Sequence, residues 1–156
     1  MPKTSTCLWF DRDPLEAAEL YVSVFPNSRI TAVTHYEKNS PMPEGAVLTV
    51  TFEIDGRSYT LLHGGPVFKL SPAASIVVHC KDQAEVDRYW QALSAVPQAE
   101  QCGWLQDRFG VSWQIVPERL FEMLLDPDAG KRRRTTDAFM KMKKFDLAAL
   151  ERAYAG

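Results

Sequence analysis

Apolar and polar residues follow a recurring order along the chain. Cys7-Leu8-Trp9-Phe10 is a short apolar run that reads as a strand. Asp13, Pro14 and Glu16 come next, with the spacing of an N-cap, a first helical residue and the acidic partner of a capping box. From Pro14 to Phe25 the period is helical: Leu20 and Val24 lie on one stripe, Ala17 and Tyr21 on its neighbour. Pro26-Asn27 stops that helix. Residues 29–36 are rich in β-branched side chains, and residues 46–54 alternate cleanly. Ala46, Leu48, Val50, Phe52 and Ile54 share one face of that strand, while Val47, Thr49, Thr51 and Glu53 share the other. Asp55-Gly56 is a two-residue hairpin signal, so Arg57–His63 is the antiparallel return strand, ended by Gly64-Gly65-Pro66.

The second half repeats the first. Residues 75–80 form a strand, Asp82 caps a helix over 83–94 with Glu85 three residues on, and Val86, Tyr89, Trp90 and Leu93 keep helical spacing. Displaced by 69 residues, Asp13 falls on Asp82, Glu16 on Glu85 and Tyr21 on Trp90. Residues 102–109 and 111–116 read as a hairpin closing at Gly110. Setting Gly56 on Gly110 aligns Thr60 with Gln114 and Tyr59 with Trp113. A strand over 96–101 is required to complete the second module, although its residues carry little strand signal. Each module then reads strand, helix, strand, strand, strand. The tail is helical in pattern over 118–125. A second tail helix opens at Asp126-Pro127 and carries Phe139 and Met142, and a third is capped by Asp146. The expected organisation is one domain over 1–156, with modules at about 5–66 and 73–117 and a helical tail at 118–156.

Composition narrows the chemistry. The chain has 156 residues, 46% hydrophobic and 24% charged, as a globular domain should. Its net charge of −2 lacks the basic excess of a nucleic-acid binder. Lys131-Arg132-Arg133-Arg134, with Lys141, Lys143 and Lys144, reads as a solvated helix face without aromatic interleaving. No apolar run approaches the roughly 20 residues of a membrane span, and residues 1–6 hold no apolar signal core. The expected location is the cytoplasm, with neither membrane nor nucleic acid as partner. Cys7, Cys80 and Cys102 are odd in number and far apart, as free thiols in a reducing compartment are.

The strand-and-cap order together with Leu8-Trp9-Phe10-Asp11, Gly64-Gly65-Pro66-Val67-Phe68, Cys80 with residues 83–90, Cys102-Gly103-Trp104-Leu105, residues 110–117, and Met140-Lys141-Met142-Lys143-Lys144 with Asp146 resembles the vicinal oxygen chelate superfamily. That superfamily includes glyoxalase I, extradiol dioxygenases and bleomycin-resistance proteins. More narrowly the chain is similar to the PhnB-like family, often labelled 3-demethylubiquinone-9 3-methyltransferase-like. The resemblance implies an α+β fold in which tandem βαβββ modules form a curved mixed-sheet cleft with C-terminal helices, and it implies a homodimer. It does not imply a reaction. Gly64-Gly65-Pro66 is not followed by a helical pattern, so it reads as a turn rather than a seat for a nucleotide-like methyl donor, and no cofactor is expected.

In the superfamily, metal ligands come from the first and last strand of each module. The matching positions here are near Thr6, Thr60, Ser75 and Gln114, three hydroxyls and an amide, so no metal is expected at them. A one-residue slip would bring His63 into view. His63, beside the glycine turn, is the candidate catalytic base. His35 reads as an exposed strand residue, and His79 shares a strand face with Ser75 and Val77. Trp113 alternates with Gln114 and so belongs under a helix. Trp104, after the flexible Gly103, and Phe68, after Gly-Gly-Pro, are the aromatic candidates for touching a ligand, with Trp9 behind them. Cys102 would need an adjacent base to act as a nucleophile, and nothing in the sequence places one.

The leading expectation is a small-molecule-binding protein. Its neutral-polar, aromatic cleft would hold a small apolar or aromatic molecule through Thr6, Thr60, Ser75, Gln114, His63, Phe68 and Trp104. The alternative is an enzyme of lyase, isomerase or dioxygenase type. It would be metal-dependent through a shifted ligand set, or metal-free with His63 as base. A third reading is a purely structural dimeric subunit.

Overall fold

The computed structural model describes residues 3–156. Met1 and Pro2, part of the amino-terminal stretch discussed above, lie outside them. The chain forms two compact units, Met1–Leu70 and Ser71–Gly156, and the fold is α+β with two mixed sheets and C-terminal helices. Among the described residues no helix is long and apolar enough to cross a membrane.

The first unit is a complete βαβββ module. It runs β1 (Thr6–Phe10), α1 (Pro14–Val24), β2 (Ser28–His35), β3 (Val47–Ile54) and β4 (Arg57–His63), with sheet order β1-β4-β3-β2. β1 pairs parallel with β4, and the other neighbours pair antiparallel. The Asp55-Gly56 turn has both φ angles positive, 48° and 78°, which is the type I′ geometry that matches strand twist. Alternation places Phe10, Val50, Phe52, Tyr59 and Leu61 on the α1 side, all buried. The Tyr21 and Phe52 rings meet at 5.8 Å, and Phe52 stacks on Tyr59 at 5.5 Å. Burying each large side chain there is worth about 1.5–3 kcal/mol. The helix buries Ala17, Ala18 and Tyr21, so the Ala17–Tyr21 stripe, not Leu20 and Val24, is its inner face.

Asp13 departs from the expected cap. It sits in the left-handed region at φ 56° and its side chain accepts no capping hydrogen bond. The cause is length: three residues join β1 to α1, whereas two join β5 (Ile76–Cys80) to α2 (Gln83–Leu93). The extra residue is absorbed by a left-handed turn at Asp13. Asp82, with no such residue to absorb, is extended and caps α2 through Glu85 N.

The second unit continues with β6 (Trp104–Gln106), β7 (Ser112–Pro117), α3 (Glu118–Leu124), α4 (Ala129–Phe139) and α5 (Leu147–Ala155). Its sheet has three strands in the order β5-β7-β6. The expected strand over 96–101 is a single 3-10 turn at Pro97–Ala99, with only Gln101 bridging to Trp104. Proline at 97 lacks the N–H a ladder needs, so the short turn replaces the strand. The α4 cap is also displaced: Asp128, not Asp126, accepts from Gly130 N and Lys131 N. Asp126 instead accepts from the Tyr154 hydroxyl and from Asp128 N, which hold its carboxyl below the usual carboxylate range. Asp146 caps α5 through Ala149 N, as expected.

Ile76, Val78, Cys80, Leu105, Trp113 and Ile115 share one face of this sheet, against which α2 buries Val86, Tyr89 and Leu93. The tail covers the other face, where Val116 joins Leu120, Met123, Phe145 and Leu150 in one core. The basic run serves this tail. Arg134 donates to the carbonyls of Ala153 and Tyr154 at the end of α5, and Arg132 to those of Asp126 and Pro127. Lys131 lies over the Tyr154 ring, and Arg133 pairs with Asp137. Arg134 therefore satisfies carbonyls at the end of α5 and Arg132 those of the turn before α4, while Arg133 and Arg134 stay exposed on the solvated face that the sequence suggests.

Cys80 is buried, and burial pushes its thiol up to about 12. Cys7 is exposed. Brief treatment of native protein with iodoacetamide at pH 8 should label Cys7 and leave Cys80 unmodified until denaturant is added. Peptide mapping that found Cys80 alkylated as fast as Cys7 would contradict this burial.

Candidate functional site

A second type I′ turn, at Cys102-Gly103, shapes a concavity in the second unit. Its φ angles are 49° and 80°, and Gln101 and Trp104 exchange backbone hydrogen bonds across it at 3.1 and 2.8 Å. It has the geometry of Asp55-Gly56, and its N–H groups point outward to the tail. Cys102 N donates to Met142 O and Gly103 N to Lys143 O, both at 2.8 Å. The missing Cβ of Gly103 is where the Phe145 ring sits, since a Cβ there would lie 2.4 Å from it. Gln83 completes the anchorage from α2: its Nε2 donates to Phe145 O at 2.9 Å, and its Oε1 accepts from Leu147 N at 2.7 Å. Lys144 pairs with Asp87 at 2.7 Å, and this ammonium, with Gln83, holds the Asp87 carboxyl below its ordinary range.

Between the tail-side face of the sheet and the anchored tail lies a cavity of about 600 Å³. The sheet contributes Trp104, Gln106, Ser112, Gln114 and Val116, which register pairs onto one face. The tail contributes Leu120, Phe121, Leu124, Phe139, Met140 and Phe145. None of the lining residues is charged. At the far edge of the sheet the Phe121 ring meets His79 at 5.3 Å. Gln114 Nε2 donates to Ser75 Oγ at 2.9 Å, so Ser75, though outside the wall, orients a wall residue. Cys102 Sγ donates to Met140 O at 3.6 Å and accepts from Gln101 Nε2, and neither of these partners is a base.

The structure thus brings together Ser75, Gln114 and Trp104. Trp113 is fully buried on the opposite face, with its indole N–H on Asp107. The other candidate residues are in the first unit and are not part of this wall. Thr6 pairs with Tyr59, on the α1 side, whereas Thr60 pairs with Cys7 on the opposite face. Thr6 and Thr60 therefore do not form a set. The displacement of 69 matches the two helix starts, but Cys7 with Thr60 and Val77 with Gln114 are related by 70. The extra residue before α1 is the difference, and one residue of slip reverses a strand's faces. Thr60 itself bonds Thr51 Oγ1 at 3.2 Å.

His63 has its Nδ1 3.0 Å from Val47 O, and Tyr36 donates its hydroxyl to the His63 carbonyl. A carbonyl only accepts, so Nδ1 carries the proton and Nε2 is the basic atom. His35 is exposed on β2. Phe68 is 61% exposed and meets the Trp9 ring edge-on at 4.9 Å. The Trp9 indole donates to Gly65 O at 2.8 Å, and a Cβ on Gly64 would overlap its ring at 2.2 Å. Packing on Trp9 thus explains the Gly64-Gly65-Pro66 turn. A metal does not fit what these positions offer: three hydroxyls and an amide split between faces are weak ligands. Among the described residues no three His, Cys, Asp or Glu side chains come together.

Known proteins share this architecture. A structure from Pseudomonas aeruginosa is matched at 19% identity over 76% of this chain and 98% of its own, with a TM-score of 0.58. The fosfomycin resistance protein FosX from Mesorhizobium loti is matched at 16% identity over 81% of this chain and 100% of its own, with a TM-score of 0.54. These likenesses show the vicinal oxygen chelate fold. A PhnB protein from Bacillus cereus, labelled a 3-demethylubiquinone-9 3-methyltransferase, is 30% identical over 74% of this chain and 99% of its own, with a TM-score of 0.64. The profile of the 3-demethylubiquinone-9 3-methyltransferase family matches residues 2–116, and the chain belongs to that family. No match to a curated protein was found. The profile ends inside β7, so the tail, whose α3, α4 and the stretch after α4 supply the outer wall of the cavity, lies beyond it.

Proposed function

We propose that the protein binds a small, neutral, largely aromatic molecule in the cavity of its second unit, for carriage or sequestration. The observation that carries this reading is an uncharged cavity of about 600 Å³ with Trp104, Phe121, Phe139 and Phe145 on its walls. Ligand sites are commonly about 300–1,000 Å³, apolar in the main, with a few placed polar groups. Burial on such walls supplies affinity and the amides supply orientation. N-phenyl-1-naphthylamine is a neutral fluorophore of suitable size. Its emission should rise saturably with one site per chain, and Trp104→Ala should weaken binding about tenfold, as loss of one aromatic contact predicts. Absence of saturable binding, or a Trp104→Ala variant with unchanged affinity, would overturn the reading.

A further inference from the structure

We infer that Ser112 is the specificity-determining residue of the cavity, and that the ligand it selects is an uncharged aromatic amide whose edge carries an N–H donor and a carbonyl acceptor side by side. This inference rests on the binding reading above and gives it a chemistry. Ser112 is only 5% exposed and lines the cavity. Among the described residues its hydroxyl has no hydrogen-bond partner, yet none of their side-chain nitrogens or oxygens that is closed off from solvent lacks one. The hydroxyl therefore opens onto the cavity, and its partner has to come from there.

Strand register builds a patch around this hydroxyl. Gln106 lies opposite Ser112 and Trp104 opposite Gln114, so four side chains with polar groups stand as a block on the cavity face of β6 and β7. Donors and acceptors are mixed within the block. The Ser112 hydroxyl serves as either, and the Trp104 indole N–H, which has no partner among the described residues, only donates. Gln106 gives one N–H to Gly110 O at 3.3 Å, and Gln114 gives one to Ser75 Oγ at 2.9 Å. Each keeps a second N–H and its carbonyl oxygen. At the border of the patch Gln101 adds a further amide, whose Nε2 lies 3.5 Å from Cys102 Sγ, and that thiol donates to Met140 O. The tail side opposite, with Leu120, Phe139 and Phe145, is apolar.

A ligand that enters the cavity displaces water from a nearly buried hydroxyl. A hydrocarbon leaves that hydroxyl unpaired, which costs affinity. An ether or ketone answers the donors alone. A carboxylate or ammonium meets no counter-charge, since none of the lining residues is charged. An amide answers donors and acceptors together and stays neutral. A cyclic amide fused to an aromatic ring carries both groups on one flat edge and lays its apolar body against the tail wall.

The test is displacement of N-phenyl-1-naphthylamine from the full chain by 2-quinolinone, naphthalene, 1-methyl-2-quinolinone and 1-naphthol. Naphthalene has neither polar group and is the most apolar, so burial alone would favour it. The N-methyl compound keeps the acceptor and lacks the donor. The expected result is that 2-quinolinone binds about tenfold more tightly than either of these two, with 1-naphthol in between. In Ser112→Ala the preference for 2-quinolinone over naphthalene should fall at least threefold. That ratio is taken within one variant, so a change in the folded fraction does not move it. Equal or tighter binding of naphthalene or of the N-methyl compound to the wild-type chain would overturn the amide inference and leave the cavity reading standing. So would 1-naphthol binding as tightly as 2-quinolinone. A smaller fall in Ser112→Ala would overturn the assignment to Ser112. Failure of the fluorophore itself to bind would remove the cavity reading, and the inference with it. The wild-type comparison decides the ligand class even if the variant does not fold.

Discussion

Replacing Asp107 with alanine is expected to destabilise the second unit by about 3–5 kcal/mol, because a buried acceptor that serves several donors is removed at once. Asp107 is 1% exposed. Its Oδ1 accepts from Phe109 N at 2.9 Å and Val111 N at 3.0 Å, and its Oδ2 accepts from the Trp113 indole at 2.9 Å. It thus shapes the loop from β6 to β7 and fastens the largest core side chain of the unit. Alanine leaves those N–H groups without their partner, two of them, Val111 N and the Trp113 indole, in buried contacts. The Asp107→Asn variant keeps one acceptor oxygen, so it should lose roughly half as much. Urea denaturation followed by tryptophan fluorescence measures both. A midpoint for Asp107→Ala within error of the wild type would show that the carboxylate does not hold this loop.

The second large effect is expected at Gly103. Its φ of +80° is strained for any side chain, and a Cβ would lie 2.4 Å from the Phe145 ring. The backbone strain costs on the order of 1–3 kcal/mol, and displacing a seated ring costs about 1–3 kcal/mol more. Gly103→Ala should therefore destabilise the second unit by about 2–6 kcal/mol in urea denaturation. Phe145 also lines the cavity and belongs to the tail core. The same variant should loosen the tail, seen as faster proteolysis in the Met140–Phe145 stretch. Wild-type stability together with wild-type proteolysis would refute the seat.

Local rules carry most of the fold. Alternation in β3, the Asp-Gly turn and the caps at Asp82 and Asp146 are decided by neighbours within a few residues, so the sequence alone shows them. Where sequence and structure differ, a non-local condition intervenes. The repeat puts Thr6 on the wrong face because a strand's facing depends on its partner's register, and one extra residue before α1 shifts that register. Cys102-Gly103 is hard to read as a type I′ turn because cysteine is an uncommon first residue for it. The positive φ is stabilised by the contacts of its N–H groups with Met142 and Lys143, far along the chain. The basic run shows its charge in the sequence, but not that Arg134 reaches the carbonyl end of α5, which is brought near only by folding.

The candidate site divides along the same line. Ser75 and Gln114 are legible through the positions that the superfamily resemblance implies, and Trp104 through the glycine that precedes it. The tail wall of Phe121, Phe139 and Phe145 is legible only as helical periodicity, which records that a side chain is buried and not what it faces. By itself the sequence determined the α+β class and the family, since these follow from local pattern and motif order. Only the tertiary structure decided that a tail of three helices closes over the second sheet, and that an uncharged cavity remains between them. A concavity of that kind arises from contacts between segments far apart in the chain, and no local pattern encodes the space they leave.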